Sequence, residues 1–177
     1  EALGTEQTGM KLLIFTPVYR PVIPEVQAAI EPQLNGADWV LGHENPFPAP
    51  DNRNVLAQYT KAWELSADFD ALLTIEEDIW IPPYAIRQML ETEADVVYGV
   101  YQFRAWPLIN AWRYTGPNEM GQSLTCFPDE LAKARLAGQA EVSGVGLGCT
   151  LIRKPALLAA TPRPGMNGNA CDIPLAA

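Results

Sequence analysis

Apolar and polar positions come in blocks along this chain, and the period of each block predicts an element. Lys11-Leu-Leu-Ile-Phe15 is a short apolar run closed by Thr16-Pro17, the form of a strand buried on both faces. Pro24 suits a first helical turn, and Val26, Ala29 and Ile30 fall on one side of the helix it opens. Trp39-Val-Leu41 reads as a short strand, and the prolines between His43 and Pro50 as a loop. Asp51 offers an N-cap to a helix in which Val55, Leu56, Tyr59, Ala62 and Trp63 recur at helical spacing. Ala71-Leu-Leu-Thr-Ile75 is a second buried strand, and it runs into three acids, Glu76-Glu77-Asp78. Pro82-Pro83 starts a helix with Ile86, Met89 and Leu90 inward, and Asp95 to Tyr101 reads as the next strand.

Between Gln102 and Phe127 no period is visible. Asp129 to Ala137 then reads as a helix, Gly144 to Gly148 as a glycine-rich tight turn, and Cys149-Thr-Leu-Ile152 as a strand. Pro155 to Ala160 is a short helix, Pro162 to Ala170 a loop, and Asp172 to Ala177 the opening of a helix. Strands alternating with helices of about ten residues predict an α/β fold, a mostly parallel sheet flanked by helices. With 177 residues one domain is expected, spanning 10–177, with 1–9 an expression remnant or a disordered tail ahead of Met10-Lys11.

Charge narrows the function classes. Twelve Lys and Arg against twenty-one Asp and Glu give a net charge of −9, which repels the phosphates of nucleic acid and of anionic membranes. A phosphorylated ligand must therefore bring a cation with it. Cys126, Cys149 and Cys171 are odd in number and far apart, against a disulfide framework or a cysteine-built zinc site. His43 is the only histidine, which excludes His-rich metal sites. No apolar run reaches the ~20 residues of a membrane span, and the acidic first residues are the wrong charge for a signal peptide. A cytoplasmic protein is expected.

The chemistry concentrates at Glu76-Glu77-Asp78, since ligands of open α/β sheets bind beyond the carboxyl ends of the strands. Adjacent acids repel one another unless a cation neutralises them. In extended chain Glu76 and Asp78 point the same way and could present oxygens to Mg²⁺ or Mn²⁺, whereas a solvated acidic turn or a helix cap is the structural alternative. Asp51-Asn-Arg-Asn54 could aim donors at a phosphate or serve as an ordinary cap. Tyr101, Phe103, Trp106, Trp112 and Tyr114 could form a sugar-stacking wall or pack a core.

The order of these features resembles GT-A glycosyltransferases, particularly family 2-like members. Lys11 to Arg20 is similar to that family's first strand and nucleotide-contacting loop, and Arg53-Asn54 to its Arg-Asn element. Leu72 to Pro83 is similar to the stretch that holds its Asp-x-Asp metal motif, with Glu76 where Asp is usual. Asp95 to Arg104 matches the strand that follows, Gly144 to Arg153 the glycine-rich acceptor-side segment, and Cys171-Asp172-Ile the acidic motif that supplies the base. The resemblance covers about residues 10–176 in the family's order. The family continues past the base motif, so the resemblance implies that the domain's C-terminal part lies beyond this sequence.

What the resemblance implies is a metal-dependent glycosyltransferase of hexosyltransferase type. It would move a sugar from a nucleoside diphosphate to a glycan, lipid or protein hydroxyl, with inversion at the sugar carbon. Asp78 and Glu76 would hold Mn²⁺ or Mg²⁺; Thr16, Pro17, Tyr19, Arg53 and Glu77 would line the nucleotide site; Asp172 would be the general base. Two other readings stay open. One is a nucleotidyltransferase of similar fold, against which Thr16 to Arg20 lacks the glycine-rich basic loop such enzymes carry. The other is a domain that binds nucleotide or glycan without turnover.

Overall fold

The computed structural model describes residues 10–18, 21–42, 44, 55–101, 109–113, 122–160, 162–164 and 171–172. In chain order the elements are β1 (Leu12–Thr16), α1 (Pro24–Ile30), β2 (Asp38–Leu41), α2 (Val55–Leu65), β3 (Ala71–Ile75), α3 (Ala85–Glu91), β4 (Val96–Tyr98), β5 (Ala111–Arg113), β6 (Gln122–Ser123), α4 (Pro128–Ala137), β7 (Gly144–Val145), β8 (Cys149–Arg153), α5 (Lys154–Ala159), β9 (Arg163–Pro164) and β10 (Cys171–Asp172).

The central sheet has the order β2-β1-β3-β8-β4. β1 runs parallel to both β2 and β3, while β8 runs antiparallel to both β3 and β4, so four of the five strands share one direction. The expected class, an α/β fold with a mostly parallel sheet between helices, is therefore the observed one. All five residues of β1 and of β3 are buried, because helices cover both faces of the sheet. Leu12, Ile14, Leu73, Ile75 and Leu151 point to one face, against Val26 and Ile30 of α1 and Ile86 and Met89 of α3. Leu13, Phe15, Leu72 and Ile152 point to the other, against Tyr59 and Ala62 of α2 and Leu157 of α5. This alternation is the period-two geometry of a strand read out in three dimensions.

Several local expectations are corrected. β4 stops at Tyr98 instead of reaching Tyr101, and α3 begins at Ala85 instead of at the prolines. Tyr84 takes the position before α3 with a left-handed φ of 67°. Part of the patternless stretch after Gln102 belongs to a three-stranded antiparallel sheet, β6-β5-β7, over a small core of Ile109, Ala111 and Leu124. Its strands are two or three residues long, too short to carry a period. Within the expected loop after Pro162, Arg163–Pro164 pairs antiparallel with Cys171–Asp172, so Asp172 lies in a strand pair. No helix among the described residues is long and apolar enough to cross a membrane.

Candidate functional site

The chain places β2 on one side of β1 and β3 on the other. A reversal of this kind opens a crevice at the carboxyl ends of the two strands, where α/β sheets bind ligands. Both motifs singled out in the sequence lie on its rim: Thr16-Pro17-Val18 leaves β1, and Glu76-Glu77-Asp78 leaves β3. The Ile23 amide, just before α1, donates to the Glu77 carbonyl over 3.1 Å, which ties the acidic segment to the chain entering α1. The Glu76 amide in turn donates to the Gly148 carbonyl over 2.8 Å, which anchors the acidic segment to the start of β8.

The three acids are not in extended chain. The Ile79 amide donates to the Glu76 carbonyl over 3.1 Å, closing a turn over residues 76–79. Within that turn the Glu77 side chain is fully buried, while Glu76 and Asp78 are half-buried. Glu76 and Asp78 are therefore the more exposed acids of this turn. Thr16 is fully buried, and its hydroxyl accepts from the Trp39 indole N–H over 3.0 Å. Pro17 is buried beside it. The fold thus brings together Thr16, Pro17, Glu76, Glu77 and Asp78. Tyr19 and Arg53 lie outside the described residues, and of Asp172 only the backbone in β10 is described, running near α2.

On the flank toward β8 a polar network adjoins Glu76. Asn110 donates through its side-chain amide to the Tyr101 hydroxyl, and the Trp112 indole N–H donates to Asn110 Oδ1 over 3.2 Å. Burial first, and then the charge of Glu76, push the Tyr101 phenol up to about 12. Gly146 and Gly148 are required here by close approach, because a Cβ would run into the Asn110 amide at one and the Tyr101 ring and hydroxyl at the other. Tyr101 and Trp112 are half-buried; Phe103, Trp106 and Tyr114 lie outside the described residues. The aromatics exposed after the acidic turn are instead Trp80 and Tyr84.

Oxygen donors of this type suit hard divalent cations. Among the described residues no group of three or more His, Cys, Asp or Glu side chains gathers into a cage. The half-buried Glu76 and Asp78 fit the other mode of holding such an ion, in which one or two carboxylates share it with phosphates and waters. Two buried amides were not anticipated from the sequence, Asn110 and Gln58. For Gln58 the signal was present: it is a polar residue on the otherwise apolar stripe of Val55, Tyr59 and Ala62.

No family model matches the chain, and no curated protein matches it. Solved structures do. The crystal structure of A197 from STIV is 22% identical over 91% of this chain and 74% of its own length, with a TM-score of 0.57. A glycosyltransferase involved in the glycosylation of the major capsid of PBCV-1 covers 84% of this chain and 63% of its own, at 10% identity and a TM-score of 0.42. The first is a likeness of fold, and the second is too low to carry an argument.

Proposed function

We propose that this chain is a glycosyltransferase that moves a sugar from a nucleoside-diphosphate sugar to an acceptor hydroxyl. One observation carries the reading: a turn of three acids sits at the carboxyl end of the middle strand, on the rim of the crevice between β1 and β3. An acidic protein needs a cation to hold a diphosphate there. Asp78 and Glu76 would hold Mn²⁺ or Mg²⁺, which when bound supplies positive charge against the diphosphate of the leaving group. The end of β1 and the loop after it, with Thr16, Pro17 and Tyr19, would line the nucleotide together with Arg53, and the buried Glu77 would support the turn that carries Asp78 and Glu76. Asp172 would take the acceptor proton as the new bond forms, in an inverting transfer.

The test is thermal unfolding with uridine or guanosine diphosphate, with and without metal. Either nucleotide raises the melting temperature with Mn²⁺ present, and chelator abolishes most of the rise, because a ligand of the native state stabilises by mass action. Asp78→Asn keeps the fold and loses the metal-dependent rise. Equal shifts with and without metal would remove the cation from the reading. A mass-spectrometric screen of nucleotide sugars then identifies the donor and reports turnover.

A further inference from the structure

Gln58 lies on α2, one turn in from its start, with its side chain completely buried. A buried amide is costly unless both its ends are bonded. Here both are. The Val18 amide donates to Gln58 Oε1 over 2.8 Å, and Gln58 Nε2 donates to the Val18 carbonyl over 2.9 Å. One side chain thus satisfies both backbone groups of a residue forty positions away, in the chain that has just left β1. Asn and Gln carry a donor and an acceptor side by side on one planar amide, without a charge or a proton to gain or lose, and Asn is a methylene shorter.

The surroundings are built to the same end. Gly42, at the end of β2, donates its amide to the Thr16 carbonyl over 2.9 Å, and a Cβ there would collide with the Gln58 amide. The ends of β1 and β2 and the second turn of α2 therefore meet on this one group. An apolar residue at position 58 would continue the stripe of α2 but leave Val18 N–H and C=O without partners in a buried place. Packing alone gives no reason for glutamine at this position; fixing the loop does.

We infer that Gln58 is a positioning residue, a two-way clamp that locks the loop after β1 to α2 and so pre-forms the nucleotide side of the crevice. The inference rests on the glycosyltransferase reading for the identity of the ligand, and on the clamp geometry alone for the fixed loop. Pre-organisation of this kind raises affinity by removing the ordering cost at binding.

The experiment measures the affinity of uridine and guanosine diphosphate with Mn²⁺, by calorimetry, for the wild type, Gln58→Met and Gly42→Ala. Amide exchange at Val18 is followed in the same unliganded proteins. Either substitution weakens the nucleotide by roughly tenfold or more and speeds Val18 exchange, because each displaces the same amide bond. In the double variant the two losses do not add, as expected for groups that act through one contact. Ala62→Gly, on the same helix, lowers the melting temperature and leaves the affinity unchanged, which separates positioning from stability. Folded Gln58→Met or Gly42→Ala protein that binds within twofold of wild type would overturn the inference. A wild type that binds neither nucleotide sinks the donor reading instead, and unchanged Val18 exchange then sinks the clamp as well.

Discussion

The central sheet and the small sheet on its flank border the same acidic turn but are held by opposite means. The central sheet is an apolar sandwich: β1 and β3 are wholly buried, and Phe15 packs edge-on against Tyr59 with ring centroids 5.3 Å apart. Among the described residues the small sheet rests on three buried apolar residues with four partly buried ones around them, and several polar groups tie it. Ser123 donates to the Ile109 carbonyl over 3.0 Å, Asn110 joins Tyr101, and Arg113 meets Glu130 over 2.8 Å on the surface. α4 beside it has no buried residue. Apolar burial over a large area gives cooperative stability, whereas few apolar contacts and many polar ties give a region that opens by itself. On this ground the β1–β3 side of the crevice is expected to be rigid and the flank beside Glu76 to open separately.

The sharpest way to break this contrast is to cut the sandwich. Phe15→Ala removes a fully buried ring and costs ~3–5 kcal/mol in urea unfolding, with every probe of structure lost together. A loss confined to the neighbourhood of β1 would show that the central sheet is no more cooperative than its flank.

A smaller effect is expected in the flank. Asn110→Ala leaves the Trp112 indole without this acceptor and the Tyr101 hydroxyl without this donor, at a cost of ~1–3 kcal/mol. Hydrogen exchange should rise in residues 109–113 and 122–126 while β1 and β3 stay protected. Equal rises in both regions would merge them into one unit.

The smallest effect is a pH dependence at the strand that joins the two. Cys149 begins β8, and burial pushes its thiol up to about 11 against the pull of the Gly99 amide. It packs against Met89, with Tyr98 close by. The folded state keeps this proton after the unfolded chain has released it, so the contribution is full below about pH 9 and declines toward pH 11. The thiol alone should lower the unfolding free energy by ~1 kcal/mol between pH 9 and 10, and Cys149→Ala should remove that part of the slope. Tyr98 and Tyr101, also raised by burial, begin to add their own decline as the pH nears 10, their ordinary value, so the thiol is read from the difference between wild type and Cys149→Ala. A slope unchanged in Cys149→Ala would assign it elsewhere.

Legibility in the sequence followed the same division. β1, β3 and α2 announce themselves because burial on a sheet face or a helix face imposes a period on five to eleven residues. β5, β6 and β7 impose none, being too short, and their ties run between polar side chains whose partners no local pattern reveals. The acidic turn was legible as a candidate site because three acids directly after a buried strand are conspicuous. Its internal geometry was not, since the turn over 76–79 and the full burial of Glu77 depend on what packs above it.

By itself, then, the sequence determined the class of fold, the strands that form its floor and the place of its acidic motif, all consequences of short-range hydrophobic order. The direction of β8, the order β2-β1-β3-β8-β4 and the meeting of Gln58 with Val18 were decided only by the tertiary structure. Periodicity specifies that a strand has two buried faces, not which neighbour it pairs with or in which sense. A buried amide, likewise, declares in sequence only that it must find a partner; chain closure over forty residues decides which one.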